Sequence, residues 1–104
     1  MYRIEICLPL SYNDKAPIEA EKFDITRKEL IKKFAGLTAM QANPDFALEG
    51  WWATQGLTYQ DKIVVFRVDS LELDRRFWSK YKYVLKRRFS QEEIYITSVE
   101  LNRL

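Results

Sequence analysis

The order of apolar patterns along the chain predicts an α+β fold. It is the ferredoxin-like βαββαβ sandwich, with two helices covering one face of a four-stranded antiparallel sheet. Three observations carry this. Strict apolar alternation opens and closes the sequence, two segments of helical period lie between, and a long alternating run, Leu57 to Val68, follows a turn signal near the middle. The 104 residues are the length of one domain, 1–104. A chain of that size buries roughly two-thirds of the surface its unfolded form exposes, so it folds without a disulfide or metal.

The first strand is residues 2–10. Ile4, Ile6, Leu8 and Leu10 fall on one face, Arg3, Glu5 and Cys7 on the other, and Pro9 sits at its end. Turn residues from Ser11 to Pro17 make a loop. Thr26 is then placed to cap a helix, with Glu29 completing a capping box and Ile25 and Leu30 forming a hydrophobic staple. Leu30, Ile31 and Phe34 form its apolar stripe, Lys28, Lys32 and Lys33 face water, and Gly36 is the expected stop. Residues Glu19 to Phe23 either extend this helix or form a separate turn.

Leu37 to Gln41 is a short strand broken by Asn43-Pro44. Extended structure resumes from Glu49 to Trp52, and Thr54-Gln55-Gly56 reads as a hairpin turn. In the long strand that follows, Val64, Phe66 and Val68 alternate with Ile63, Val65 and Arg67. Asp69, with Glu72 three residues on, signals the start of the second helix. Its stripe is Leu71, Trp78, Tyr81, Leu85 and Phe89, flanked by Phe77 and Val84. In the last strand, Glu93 to Leu101, Ile94 and Ile96 face the core while Tyr95, Thr97 and Val99 face away. The core face of the sheet is thus Ile4, Ile6, Leu8, Val64, Phe66, Val68, Ile94 and Ile96. The open face is Arg3, Glu5, Cys7, Ile63, Val65, Arg67, Tyr95, Thr97 and Val99.

Several strings of residues carry a resemblance. They are Tyr12-Asn13-Asp14 with Pro17-Ile18, Lys33 to Thr38, and Gly50-Trp51-Trp52 with Gly56, Tyr59 and Asp61. Phe77, Tyr81-Lys82, Leu85 to Phe89 and Gln91, followed by Ile94 to Thr97, complete the set. The chain resembles a group of small uncharacterised bacterial proteins, often cyanobacterial, with no established activity. The resemblance covers most of the chain and implies a stand-alone ferredoxin-like domain. It carries over no functional residue.

Composition narrows the chemistry. There is no histidine, which removes the commonest general base and metal ligand near neutral pH. One cysteine, Cys7, makes no intrachain disulfide and no cysteine-rich zinc site. Gly36, Gly50 and Gly56 are too far apart for a phosphate-cradling loop. No apolar run approaches the ~20 residues of a membrane span, and Met1 to Glu5 has no basic-then-apolar leader pattern. The expectation is a soluble cytoplasmic protein that needs no cofactor or metal and leans away from enzymatic function. The best constellation for chemistry is Glu5, Cys7, Arg67 and Asp61. Within it Glu5 and Arg67 read more simply as a cross-strand ion pair, and Cys7 as a small packed residue.

Three surfaces are candidates for function. The open sheet face lacks the aromatic pair by which RNA-recognition domains of this topology stack bases. Ile63, Val65, Tyr95 and Val99 instead form an apolar patch rimmed by Arg3, Glu5 and Arg67. Such a patch either docks a protein partner or a second copy, or is covered by residues 42–49 or a C-terminal tail. Trp51 and Trp52 should point to opposite faces of a strand, so that one is either an anchor for a ligand or partner or a cap on the sheet end. The second helix holds seven basic and two acidic residues between 71 and 90, a charge of +5, which leaves −3 on the rest of a chain of net +2. Arg75, Arg76, Lys80, Lys82, Lys86 and Arg87, with Tyr83 among them, lie on its polar side. They read as a stripe for a phosphate backbone or as a solvated face whose late cations suit the helix dipole. Arg88 falls on the apolar side and reads as paired or snorkelling. The leading function is a non-enzymatic interaction module that self-associates through the open face or an edge strand. The alternative is nucleic-acid binding on the second helix. A third is a small-molecule binder or enzyme with a pocket beneath Trp51 or Trp52.

Overall fold

The computed structural model describes residues 1–40, 48–54 and 57–104, with side chains for 1–40 and 62–104. Its elements are β1 (Tyr2–Pro9), α1 (Ala20–Phe34), β2 (Thr38–Met40), β3 (Leu48–Thr54), β4 (Leu57–Ser70), α2 (Arg75–Arg88) and β5 (Tyr95–Glu100). The sheet is antiparallel, in the order β2-β4-β1-β5, with β3 also paired to β4. This is the ferredoxin-like sandwich that the sequence predicts. The two stretches of the strand expected to break and resume pair with a single neighbour. Thr38–Met40 lies opposite Arg67–Val65, and Leu48–Thr54 opposite Ile63–Leu57. On its other edge β4 meets β1 only from Ile63 to Ser70. Residues 57–62 therefore continue past the sheet in a two-stranded ribbon with β3. The expected break at Asn43-Pro44, the Gln55-Gly56 turn and the covering segment 42–47 lie outside the described residues.

Alternation sets the core. Ile4, Ile6, Leu8, Val64, Phe66, Val68 and Ile94 are buried as expected, and Ile96 packs against them from a half-buried position. Leu30, Trp78, Tyr81, Leu85 and Phe89 close the layer from the helices. Each such aliphatic or aromatic side chain contributes roughly 1.5–3 kcal/mol through burial. Aromatic contacts join the helices. Phe34 stacks on Trp78 with centroids 5.5 Å apart and meets Phe77 edge-on at 5.9 Å, and Phe23 meets Phe89 edge-on at 5.2 Å.

The helix boundaries differ from the sequence reading. α1 starts at Ala20, so Glu19 to Phe23 extends the helix, and Glu19 occupies the cap position with no side-chain cap. Thr26 is therefore mid-helix and fully buried. Its hydroxyl donates to the Lys22 carbonyl at 2.8 Å and accepts from Arg88 Nη1 at 2.9 Å. Ile25 and Ile31 are about half exposed. The buried stripe is instead Phe23, Thr26, Leu30 and Phe34, which places a polar residue in the apolar row. At the other end the left-handed residue is Ala35 (φ 61°), whose N–H donates to the Ile31 carbonyl, one position before the expected Gly36.

The start of α2 is displaced too. Asp69 belongs to β4, and the cap is Asp74, whose Oδ1 accepts from the Phe77 N–H at 3.0 Å. Leu71 is consequently outside the helix and 78% exposed. The rest of the expected stripe is buried, except that Val84 faces out. Arg88 turns inward as expected, pairing with Glu29 Oε1 at 2.5 Å and with Thr26, while Tyr81 donates to the same carboxylate at 3.4 Å.

Candidate interaction face

Both helices pack on one side of the sheet, so the odd-numbered residues of β1, β4 and β5 line the other. Register aligns them in rows across β4, β1 and β5: Asp69–Arg3–Val99, Arg67–Glu5–Thr97 and Val65–Cys7–Tyr95. The face is thus built from three strands whose pairing is fixed by the core residues behind it.

Each carboxylate described on this face faces an arginine of the same face. Arg3 grips Asp69 in a fork, Nε to Oδ1 at 3.0 Å and Nη2 to Oδ2 at 3.3 Å. That hydrogen bond holds the Asp69 carboxyl below its usual range. Glu5 Oε2 stands 3.7 Å from Arg67 Nη2, the cross-strand pair that the alternation predicts. Arg67 Nε is buried without a partner. Burial, with Glu5 nearby, raises the Cys7 thiol, which keeps it protonated at neutral pH. Three members of the expected chemical constellation therefore meet, as an ion pair and an unreactive thiol. The Asp61 side chain lies outside the described residues.

The apolar part of the face is narrower than expected. Val65 is only 7% exposed, so it is not available for contact. Ile63 is half-buried. The exposed apolar side chains are Tyr95 at 62% and Val99 at 55%, four residues apart on the outermost strand with Thr97 between them. The Trp51 and Trp52 side chains lie outside the described residues; the β3 backbone sets Trp51 opposite Gln60 and Trp52 opposite Tyr59.

On α2, Arg75, Arg76, Lys80, Tyr83 and Arg87 are exposed and Lys82 and Lys86 are half-buried. Lys82 Nζ contacts Glu93 Oε1 at 2.8 Å, which lowers the Glu93 carboxyl. Arg87 donates to the Tyr83 hydroxyl at 3.1 Å and stands over its ring. Two partners escaped sequence reasoning, Asp69 for Arg3 and Glu93 for Lys82. The local pattern reads Asp69 as a helix cap; in the strand, its register with Arg3 follows.

Among the described residues no group of three or more His, Cys, Asp or Glu could hold a metal ion. No helix among them is long and apolar enough to cross a membrane.

No family model and no curated protein sequence matches the chain. Solved structures do match in fold. A divalent cation tolerance protein (Cut A1) from Thermus thermophilus aligns with TM-score 0.65 and 15% identity, over 99% of this chain and 86% of that one. A periplasmic divalent cation tolerance protein, CutA, from Archaeoglobus fulgidus gives TM-score 0.63 and 15% identity, over 99% and 86%. A phage SAM lyase in complex with S-methyl-5'-thioadenosine gives TM-score 0.63 and 18% identity, over 95% and 80%. At these identities the likeness is one of fold.

Proposed function

We propose that the chain is a non-enzymatic interaction protein that self-associates through the open face of its sheet. The observation that supports this is a face that no helix among the described residues covers. Both helices lie behind it, and Tyr95 and Val99 remain exposed beside two cross-strand ion pairs. An apolar strip rimmed by paired polar groups is the composition of a protein interface. Three strands about 4.8 Å apart and some seven residues long at ~3.3 Å each make a flat face on the order of 300–400 Å². A stable interface needs about 800 Å² per partner, allowing for side-chain relief. The β3–β4 ribbon continues the same sheet beyond this face.

The fold alone does not decide the matter, because similar structures carry the names of both cation tolerance proteins and a lyase. The choice rests on the residues of the face: no unpaired carboxylate and no activated nucleophile stand there among the described side chains. A cytoplasmic setting, in which a lone thiol such as Cys7 stays reduced, belongs to the proposal.

Sedimentation across the micromolar concentration range tests it. The wild-type mass is expected to rise with concentration. Tyr95→Asp with Val99→Asp, two changes at exposed positions, is expected to hold the protein monomeric with its fold intact. A wild type that stays monomeric, or a double variant that associates unchanged, overturns the assignment. Val65→Asp is not the variant to use, since a carboxylate at that buried position would unfold the sheet.

A further inference from the structure

β5 ends the sheet, and among the described residues no strand pairs with the edge it turns away from β1. Beside that edge, between β5 and α2, runs a groove of about 210 Å³. Trp78 and Ile96 line it with Arg75, Ser79, Lys82 and Ser98. Arg75, Ser79 and Lys82 follow one another at steps of four and three, so one face of α2 accompanies the strand. On the opposite side of the sheet the same strand presents Tyr95 and Val99.

An extended segment laid along β5 would send alternate side chains to these two sides. Those on the helix side meet Arg75, Lys82 and the Ser79 and Ser98 hydroxyls, set around an apolar floor of Trp78 and Ile96. Those on the other meet an exposed aromatic ring and a valine. We infer that the free edge of β5 receives an extended segment of a partner protein in which acidic and apolar residues alternate. Its backbone pairs with β5, its carboxylates face Arg75 and Lys82, and its apolar side chains rest on Tyr95 and Val99.

Charge favours an acidic partner. Residues 71–90 carry +5 on a chain of net +2, and among the described residues Arg75 makes no ion pair. Lys82 is held by Glu93, but an ammonium has three donors and can serve a second carboxylate. Strand addition gives affinity through the main chain, and alternate side chains give specificity. A second copy is the weaker occupant. The chain's own alternating run, Leu71-Glu72-Leu73-Asp74, is already committed, because Leu73 packs on the core and Asp74 caps α2.

The test is fluorescence anisotropy with a labelled octapeptide of alternating glutamate and valine. The comparators are the same residues in two blocks, and hexaglutamate. The alternating peptide is expected to bind and the comparators to fail. Arg75→Glu with Lys82→Glu is expected to weaken binding about tenfold, with circular dichroism and sedimentation mass unchanged. A second copy and the peptide would share Tyr95 and Val99, so binding is read at protein concentrations at which sedimentation shows the monomer, and the unchanged mass of the variant keeps this inference separate from self-association. Equal binding of the block peptide or hexaglutamate would show charge attraction without strand pairing and overturn the inference. So would no binding of the alternating peptide, or an oligomer that excludes it because a second copy holds the edge.

Discussion

Replacing Arg88 by methionine should destabilise the protein by about 2–3 kcal/mol. The Arg88 side chain is 17% exposed, and its guanidinium bonds to Glu29 and to the Thr26 hydroxyl across the helix interface. A hydrogen bond to a charged group contributes ~1.5–3 kcal/mol. Two are lost, but the loss is softened on both sides. The Glu29 side chain is 42% exposed and regains water, and Thr26 keeps the Lys22 carbonyl as a partner. Methionine retains most of the buried stem, so packing changes little. For a domain of this size 1 kcal/mol corresponds to roughly 4–8 °C, so Tm should fall by about 10–20 °C. Urea denaturation of Arg88→Met, Glu29→Gln and the double variant checks this, with a coupling of about 1 kcal/mol or more between the two sites. A single variant within about 0.5 kcal/mol of wild type, or strictly additive effects, would refute the claim that this pair ties the helices together.

Two further outcomes follow from local geometry. Ala35→Gly should stabilise the protein by about 1 kcal/mol, because a left-handed residue at φ 61° suits glycine and strains alanine; an unchanged or lower denaturation midpoint would contradict it. Tyr81 has its hydroxyl pushed up to about 12 by burial and then by Glu29. The folded state thus favours the protonated phenol. Its stabilising contribution is complete below the ordinary tyrosine pKa near ~10 and is lost as pH rises from there towards about 12. Tyr81→Phe should flatten the decline of Tm in that window, and an equal decline in both proteins would remove Tyr81 as its cause.

The sheet was legible because period-two alternation is a direct record of burial. Ile4-Ile6-Leu8 and Val64-Phe66-Val68 could face only one way, and their odd-numbered neighbours had to form the other face. The helices were legible in their interiors and illegible at their starts. Thr26 and Asp69 each head a sequence that fits a capping box, yet Thr26 serves Arg88 and Asp69 serves Arg3, partners 62 and 66 residues away. A short polar side chain satisfies a helix N–H or a distant guanidinium equally well, and local sequence does not record which one the tertiary fold brings near. The same limit hid the burial of Val65. Alternation assigns it to the open face correctly, but exposure depends on neighbouring strands and on what lies above them.

The two functional surfaces differ in how their charge is held, and this separates what each can recognise. On the open face Arg3 is bound to Asp69 and Arg67 faces Glu5, so a partner meets charges that are already paired. Partly exposed pairs of this kind contribute little to affinity. The face must therefore select by shape and by its apolar strip, and the paired charges oppose indiscriminate stacking of exposed sheets. On α2, by contrast, Arg88 is withdrawn into the helix interface while Arg75, Arg76 and Lys80 remain exposed to solvent. That surface attracts anions at a distance but fixes no geometry by charge alone. Geometry enters only where the helix runs beside the unpaired edge of β5, with backbone donors and acceptors at strand spacing. Attraction and register coincide there, and this is why the groove, rather than the whole basic helix, is the place to look for a specific acidic partner.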